Sequence, residues 1–399
     1  MKKILSVVHT SFFIFGFIFF ATENLFGANK YFSNKVTIRV VAPATPPAGT
    51  GWTRILNTKF QDICHGADSF FGFSRPCTNA MIAWSGGVAD TLRNRLIVWG
   101  GGHADYYGNE VYALDLAQKK FIRLNDPTPL SAPLTNCVTT LPDGRPTTRH
   151  TYGGLSYVAH LDKMAVLGGV ASCEGGGFMS DVFTLDFTKL ASDPNPGSNK
   201  YWEQIIPALP NMNYGGILGA SDYDPVSKLV YLYTSRGQFY SVNLDSKSSV
   251  KIADINDPDP NGYHYSGVID PLKRQFIIMG HGQIWTLDMN TNNVTNTTSQ
   301  WTGCSSFISA DYAGLAYYPV QSKIVGWAGG KNVYLIDASA QTCKDLSDPK
   351  NSNLNLVTNA PGAQLGNGTN GRFRYFPSIK SFVLVNDPSE DAYILKIDP

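Results

Sequence analysis

The sequence predicts an all-β fold of the β-propeller type, a closed ring of four-stranded sheets, or blades. Three observations indicate this fold: a composition suited to short strands, a recurring pair of apolar strands, and glycines that end many of the second strands. Of the 399 residues, 43% are hydrophobic and only 16% are charged, with 38 glycines and 20 tyrosines. This balance is typical of many short strands joined by tight turns.

The repeated unit contains three recognisable strands in a fixed order. The most regular one ends in Asp or a substitute for it, at 111–116, 182–187, 239–244, 284–289 and 333–338. An apolar strand precedes each of these, starting at Arg95, Lys163, Leu229, Gln275 and Lys323. Strands of small residues come before those, around Ala80–Gly87, Gly153–Val158, Gly215–Tyr223, Ser266–Ile269 and Gly314–Tyr318. Small, then large, then alternating residues indicate a blade that widens from the axis to the rim.

The two ends of the chain are predicted to close the ring together. Residues 371–397 supply three strands of a last unit, and its outer strand is missing. The segment Trp52–Leu56 contains strand-forming residues and no glycine, so it can supply that strand. We therefore predict six blades closed by an N-terminal strand, with seven as the alternative if Val36–Val41 and nearby residues form more structure.

The double glycine after the second strand, followed by a third strand that contains Tyr or Trp, resembles the kelch repeat. The resemblance is to the central propeller of galactose-oxidase-like proteins, and it covers nearly all of the chain that follows the N-terminal segment. It implies the fold but not the function, because propellers include enzymes, lectins and scaffolds.

The N-terminal segment resembles an export signal, with Lys2 and Lys3 followed by the mainly apolar stretch Ile4–Ala21. We predict a signal peptide over residues 1–28, a single β-propeller domain over 29–399, and a secreted or extracytoplasmic protein. Membrane contact is expected only if the N-terminal segment is retained. The six cysteines can pair in fifteen ways, and we favour the sequential pairing of Cys64 with Cys77, Cys137 with Cys173, and Cys304 with Cys343.

The charge pattern argues against a nucleic-acid partner, since the formal net charge is +1 and no dense run of Lys or Arg occurs. Glycines at 100–102 and 175–177 lack the lysine of a phosphate-binding loop. Residues 257–262 begin like a calcium loop, but two prolines interrupt them. The sequence requires no cofactor, and zinc, calcium and copper stay open.

Residues with acid, base and cationic side chains are predicted to meet on one face of the ring. In a four-stranded blade, the loop between the second and third strands and the link to the next blade emerge on the same side. The candidate site residues on this face are His103, His150, Tyr214, Arg236, Tyr263 and His264. Glu174, His281, Arg149, Tyr152, Arg372 and Arg374 are predicted to accompany them, while His160 falls on the opposite face. Each of these residues could also serve only to pack or brace the ring.

The character of this face resembles propeller polysaccharide lyases of the ulvan-lyase kind, which act on acidic sugars. The resemblance implies Arg236 as the cation that neutralises a uronate, His103 or His150 as the base, and Tyr214 or Tyr263 as the acid. Its partner would be an acidic polysaccharide or another glycan.

Two other functions remain open alongside the lyase, so the sequence does not decide whether the chain is an enzyme. A non-catalytic propeller that binds carbohydrate or protein would use the same aromatic face. A copper oxidase resembling galactose oxidase is less favoured, because no cysteine is placed evidently beside a candidate ligand tyrosine. Trp84, Trp99, Trp285 and Trp327 are predicted to pack on strands rather than to contact a ligand.

Overall fold

The fold of the protein is known from a computed structural model that describes residues 44–64, 73, 75–193, 195, 197–212, 218–258 and 262–398. These residues form six antiparallel sheets arranged as a six-bladed β-propeller, which confirms the predicted fold class. The predicted signal peptide, the segment Val36–Val41 and Tyr214 lie outside the described residues.

The blades follow one another along the chain, and the first strand of each lies nearest the axis. Blade one contains β2 (Gly86–Asp90), β3 (Arg95–Trp99), β4 (Tyr112–Asp115) and β5 (Lys120–Arg123). Blade two contains β6 (Arg149–His150), β7 (Leu155–Val158), β8 (Lys163–Ala171), β9 (Gly177–Asp186) and β10 (Trp202–Ile206). Blade three contains β11 (Leu218–Asp224), β12 (Leu229–Thr234), β13 (Gln238–Asn243) and β14 (Ser248–Asp254). Blade four contains β15 (Ser266–Asp270), β16 (Gln275–Gly280), β17 (Gln283–Asp288) and β18 (Asn293–Asn296). Blade five contains β19 (Gly314–Tyr318), β20 (Lys323–Trp327), β21 (Val333–Asp337) and β22 (Thr342–Asp345). Blade six contains β23 (Phe373–Phe376), β24 (Ser381–Leu384), β25 (Ala392–Lys396) and β1 (Gly51–Ile55).

Three short α-helices occur among the described residues: α1 (Asn79–Ile82), α2 (Phe187–Ser192) and α3 (Ser305–Ile308). Single 3₁₀ turns lie at Phe60–Asp62, Ala159–Leu161, Thr298–Gln300 and Pro377–Ile379. No helix in this part of the chain is long and apolar enough to cross a membrane.

Small residues on the first strands allow neighbouring blades to approach closely around the axis. A Cβ atom added to Gly267 would lie 2.8 Å from the Cβ of Ala220 on the preceding blade, closer than two carbon atoms can pack. The larger side chains of the second and third strands fill the wedge between blades, where Trp99, Trp202 and Trp327 are buried. The predicted change from small to large residues therefore reflects the narrowing of the ring toward its axis.

The ring closes as predicted, because β1 pairs antiparallel with β25 and Gly51 lies opposite Lys396. The Asp391 carboxylate reinforces this junction by accepting hydrogen bonds from Arg54 Nε and from the backbone N–H of Thr58, both at 2.8 Å. Trp52 is buried behind the junction.

The three disulfides join the cysteines in the predicted sequential order, and no cysteine is free. The first disulfide lies beside a region where the prediction was wrong. Residues 80–87 were expected to form the inner strand of blade one, but the first of them belong to α1 and the strand begins at Gly86. The helix turns Ala80 and Met81 into the core next to Cys77, so burial outweighs the local preference for a strand.

Candidate functional site

One end of the ring, which we call the mouth, is lined by loops that connect second and third strands and by links between blades. Eight aromatic side chains meet there and form what we call the mouth cluster. They are Trp84, His103, His150, Tyr152, Tyr263, His264, His281 and Tyr312. They come from six different loops and links, so the closed ring is needed to bring them together.

A series of backbone hydrogen bonds holds successive links around the mouth. The N–H of Tyr152 donates to Trp84 O at 2.7 Å, that of Tyr312 to His264 O at 2.9 Å, and that of Thr369 to Tyr312 O at 3.1 Å. Each bond joins segments that are far apart in sequence, so the links are fixed by their neighbours rather than by local structure.

Five members of the mouth cluster have left-handed backbone conformations, which is rare for residues other than glycine. Their φ angles are 47° for Trp84, 45° for His103, 47° for Tyr152, 46° for His281 and 54° for Tyr312. Large side chains in this region persist only where the surrounding structure imposes them, and such strain is concentrated at functional sites. Left-handed residues also occur in the turns of the opposite face, such as Asn94, Lys228 and Arg274, but those of the mouth carry large aromatic rings.

Three tyrosines form the floor of the mouth. The rings of Tyr263 and Tyr312 are stacked, with centroids 6.2 Å apart and planes at 15°, and Tyr152 lies 5.4 Å from Tyr263. Tyr152 and Tyr312 are buried, whereas Tyr263 and the adjacent Trp84 are partly exposed. Burial raises the pKa of the Tyr152 and Tyr312 phenols, so both stay protonated at neutral pH.

A first histidine pair stands on one side of the floor. His103 is exposed and His150 is buried, and their ring centroids are 5.6 Å apart. Asp105 orients the inner ring, since its Oδ2 lies 3.0 Å from His150 Nε2, while its Oδ1 lies 3.2 Å from Arg75 Nη1. When Nε2 of the neutral imidazole donates to Asp105, Nδ1 is left as the basic nitrogen.

Burial has the larger effect on the charge of His150. It lowers the pKa of this imidazole from its ordinary value of 6.5, and the hydrogen bond to Asp105 opposes it only in part. His150 is therefore neutral at pH 7. A neutral imidazole beside protonated phenols supplies both a proton acceptor and proton donors at one place.

A second histidine pair stands across the floor. The rings of His264 and His281 are stacked with centroids 4.8 Å apart and planes at 17°, and Tyr263 lies 4.5 Å from His264. Asp311 Oδ1 is 3.6 Å from His281 Nδ1, beyond a good hydrogen bond. Within the described ranges, no group of three or more His, Cys, Asp or Glu side chains could hold a metal ion.

Four of the six candidate residues from the sequence belong to the mouth cluster: His103, His150, Tyr263 and His264. Arg236 lies on the same face, exposed in the turn between β12 and β13. Tyr214 lies outside the described residues.

Two arginines expected at the mouth are instead internal braces. Arg149 and Arg372 are both fully buried. Arg149 Nη1 donates to Asp181 Oδ1 at 2.6 Å, while Arg372 donates to backbone carbonyls, including that of Gly368 at 2.8 Å. Along a link, neighbouring side chains point alternately toward the mouth and toward the interior of the blades. The sequence does not show which residues of a link point toward the mouth.

Sequence reasoning missed two residues of the site and the role of a third, Asp105, which was expected on this face beside His103. Trp84 was expected to pack on a strand, but it follows α1 and its ring centroid lies 5.0 Å from that of His150. Tyr312 was not singled out, although it occupies the same link position before a first strand as Tyr152. Asp105 is two residues from His103, and its role depends on a contact with another blade that no local pattern reveals.

No family model and no curated protein matches the sequence. Among solved structures, a structural genomics protein of unknown function from Bacteroides thetaiotaomicron VPI-5482 is similar in fold, with a TM-score of 0.50 and 9% identity over 87% of this chain and 75% of that one. An auxiliary nutrient binding protein from the same organism has a TM-score of 0.47 and 11% identity over 87% of this chain and 76% of that one. At these identities the first likeness shows the fold alone. The six antiparallel sheets of the chain itself define it as a six-bladed β-propeller.

Proposed function

We propose that the mouth binds an acidic polysaccharide outside the cytoplasm and cleaves it by β-elimination beside a uronate. One observation carries the proposal: the His103/His150 pair, whose inner ring is held by Asp105, shares the mouth with the tyrosine floor and its partly exposed Tyr263. Three disulfides suit an extracytoplasmic protein. The double-glycine pattern of the blades supports a kelch-type repeat.

The reaction needs a base, an acid and a cation, and the mouth offers one of each. The base removes the proton on C5 of the uronate, and the released electron pair forms the C4–C5 double bond as the C4–O glycosidic bond breaks. The acid then gives its proton to the departing oxygen. A cation beside the carboxylate stabilises the negative charge that develops when C5 loses its proton.

We assign these roles by exposure, because a group that reacts must reach the substrate. His103 is the base, since it is the exposed member of its pair and His150 lies behind it. Tyr263 is the acid, since it is the partly exposed tyrosine of the floor. Arg236 is the cation, and Arg75, whose side chain is 70% exposed beside Asp105, is a second arginine within the same mouth.

His150 acts as a positioning residue in this scheme. Its side chain is only 3% exposed, so it has little surface for a substrate to contact. Its neutral state avoids placing a second positive charge beside His103 when His103 takes up a proton.

A second function is favoured by the shape of the floor. Trp84 and Tyr263 both lie beside Tyr152, and both present partly exposed aromatic rings. Such rings bind the apolar faces of sugars. A non-catalytic glycan-binding propeller would use this floor without the histidines, so the two functions predict different effects of the same variants.

The test is a screen of acidic polysaccharides for ultraviolet absorbance, because elimination creates a conjugated, unsaturated uronate. With a responding polymer, we expect His103→Ala and Tyr263→Phe each to lower kcat about 10² to 10⁴-fold. The matched control is His160→Ala on the opposite face, where the ring bonds to Tyr223 and Asp245. This control should retain activity, and circular dichroism should show that all variants are folded.

The outcomes separate the functions. Binding of a polysaccharide without product across the panel would favour the non-catalytic propeller. Wild-type rates in the His103 and Tyr263 variants would remove the mouth from the mechanism.

A further inference from the structure

The face opposite the mouth carries a ring of exposed aliphatic side chains. Four of the turns between first and second strands have, as their second residue, a leucine or valine whose exposed fraction is more than half. These residues, which we call the tip ring, are Leu92 (60%), Val226 (63%), Leu272 (70%) and Val320 (55%). Single exposed aliphatic residues are common on protein surfaces, but here they recur at the same place in four blades.

In the turns of Val226 and Leu272, turn chemistry does not account for the aliphatic side chain, because the preceding aspartate already supplies the hydrogen bonds of the turn. Asp224 accepts hydrogen bonds from the N–H groups of Val226 and Ser227 at 3.1 and 2.9 Å. Asp270 accepts from the N–H groups of Leu272 and Lys273, both at 3.0 Å. Only the backbone of the tip residue takes part, so a polar side chain would serve the turn as well.

Lysines with no carboxylate partner surround the tip ring. Lys228 and Lys273 lie in the same turns as Val226 and Leu272, and Lys119 and Lys380 are exposed on the same face. Within the part of the chain that the structure describes, none of the four forms an ion pair.

Several carboxylates of this face, by contrast, are paired with other side chains. Asp162 Oδ2 lies 2.6 Å from Arg93 Nη2, and Asp245 Oδ2 lies 2.9 Å from His160 Nε2. Glu203 Oε1 lies 2.5 Å from Lys247 Nζ. Among the described residues, Asp270 and Asp398 also lie on this face without an ion-pair partner, so the four lysines are the cations of a surface of mixed charge around the aliphatic tips.

The chain also reaches the propeller on this face. Pro46 lines a surface cleft together with Val320 and Lys380, so the described chain begins beside the tip ring. The sequence before it contains the apolar stretch Ile4–Ala21.

We propose that the tip ring and its lysines form a docking surface for a membrane that contains anionic lipids. Aliphatic side chains enter the boundary between headgroups and acyl chains, while lysines contact the lipid phosphates. This arrangement directs the mouth away from the lipid. The proposal is independent of whether the mouth is catalytic.

The test uses the chain from residue 29 onward, which contains all six blades and lacks the apolar N-terminal segment. Flotation is measured with vesicles of phosphatidylcholine alone and of phosphatidylcholine mixed equally with phosphatidylglycerol. We expect flotation only with the mixed vesicles and less of it at high salt.

Two paired variants and one control examine the surface itself. Val226→Asp/Leu272→Asp should weaken vesicle binding about tenfold or more, since two aliphatic side chains that enter the membrane on binding are lost. Lys228→Glu/Lys273→Glu should weaken vesicle binding at least about fivefold for each lysine. One lysine near an anionic lipid surface contributes about this factor to the affinity. The control, Val250→Asp/Val357→Asp, changes valines that are 61% and 69% exposed but lie away from the tip ring, and it should bind like the wild type.

Failure of the wild-type chain to float with mixed vesicles would overturn the proposal, as would equal losses in the tip-ring and control variants. Self-association that the Val226→Asp/Leu272→Asp variant abolishes, without vesicle binding, would also overturn it and assign the surface to a second copy.

Discussion

The buried ion pair behind His150 provides the sharpest test of how the mouth is held. Arg149 and Asp181 are both completely buried, and Nη1 of the arginine lies 2.6 Å from Oδ1 of the aspartate. Arg149 also donates to the carbonyls of Thr147 and Gly168, each at 3.1 Å. Because Arg149 precedes His150 in β6, the pair fixes the segment that places His150 in the mouth.

Replacing Asp181 with alanine removes the carboxylate and leaves the guanidinium charge buried without its counter-ion. Breaking a buried pair in this way costs about 3 to 5 kcal/mol of unfolding free energy. The matched control is Asp126→Ala, which breaks a pair with Arg123 whose side chains are 45% and 33% exposed. An exposed pair contributes only about 0.2 to 1 kcal/mol, so the control should be close to the wild type.

The measurement is urea denaturation at 25 °C, followed by tryptophan fluorescence with the disulfides intact. A double variant, Arg149→Met/Asp181→Leu, removes both charges and should be less destabilised than Asp181→Ala, since no unpaired charge remains. If Asp181→Ala loses less than about 1 kcal/mol, in the range of an exposed pair, the assignment of this pair as a brace is wrong.

Two further predictions concern the closure of the ring and the charge of His150. Trp52→Ala should destabilise the fold by about 3 to 5 kcal/mol in the same assay, because Trp52 is buried against Trp327 and Tyr393, and an unchanged midpoint would contradict this closure. NMR titration should give His150 a pKa below 6.5, and Asp105→Asn should lower it further by removing the interaction that raises it; a rise would contradict the geometry. Below pH 6.5, the imidazole of His150 then binds more protons in the unfolded chain than in the folded one. The free energy of unfolding should therefore fall as the pH drops through this range. His150→Gln should reduce that fall.

The fold could be predicted from sequence because its signals are local and repeated. Each blade repeats the change from small to large to alternating residues, and the missing outer strand after Ile397 indicated the closure by Trp52–Leu56. The helix α1 was missed because burial beside Cys77, rather than local preference, decides the conformation there. Such long-range packing leaves no periodic mark in the sequence.

The site could be predicted only in part because the ring, not the chain, brings its members together. His103, His150, Tyr263 and His264 stood out as unusual residues at loop positions. Tyr312 and Asp105 did not, since their roles depend on contacts between blades. Arg149 was expected at the mouth, whereas its side chain is buried and lies against Asp181.

The two faces of the ring suggest how one repeat can carry two different surfaces. At Val226 and Leu272 on the tip-ring face, an aspartate satisfies the turn through its carboxylate, so the turn does not require the aliphatic side chain. Left-handed residues other than glycine occur on both faces, but at the mouth they are large aromatic residues, whereas in the tip-ring turns they are residues such as Asn94, Lys228 and Arg274. Substituting glycine for Tyr152 or Tyr312 would relieve the backbone and remove the floor.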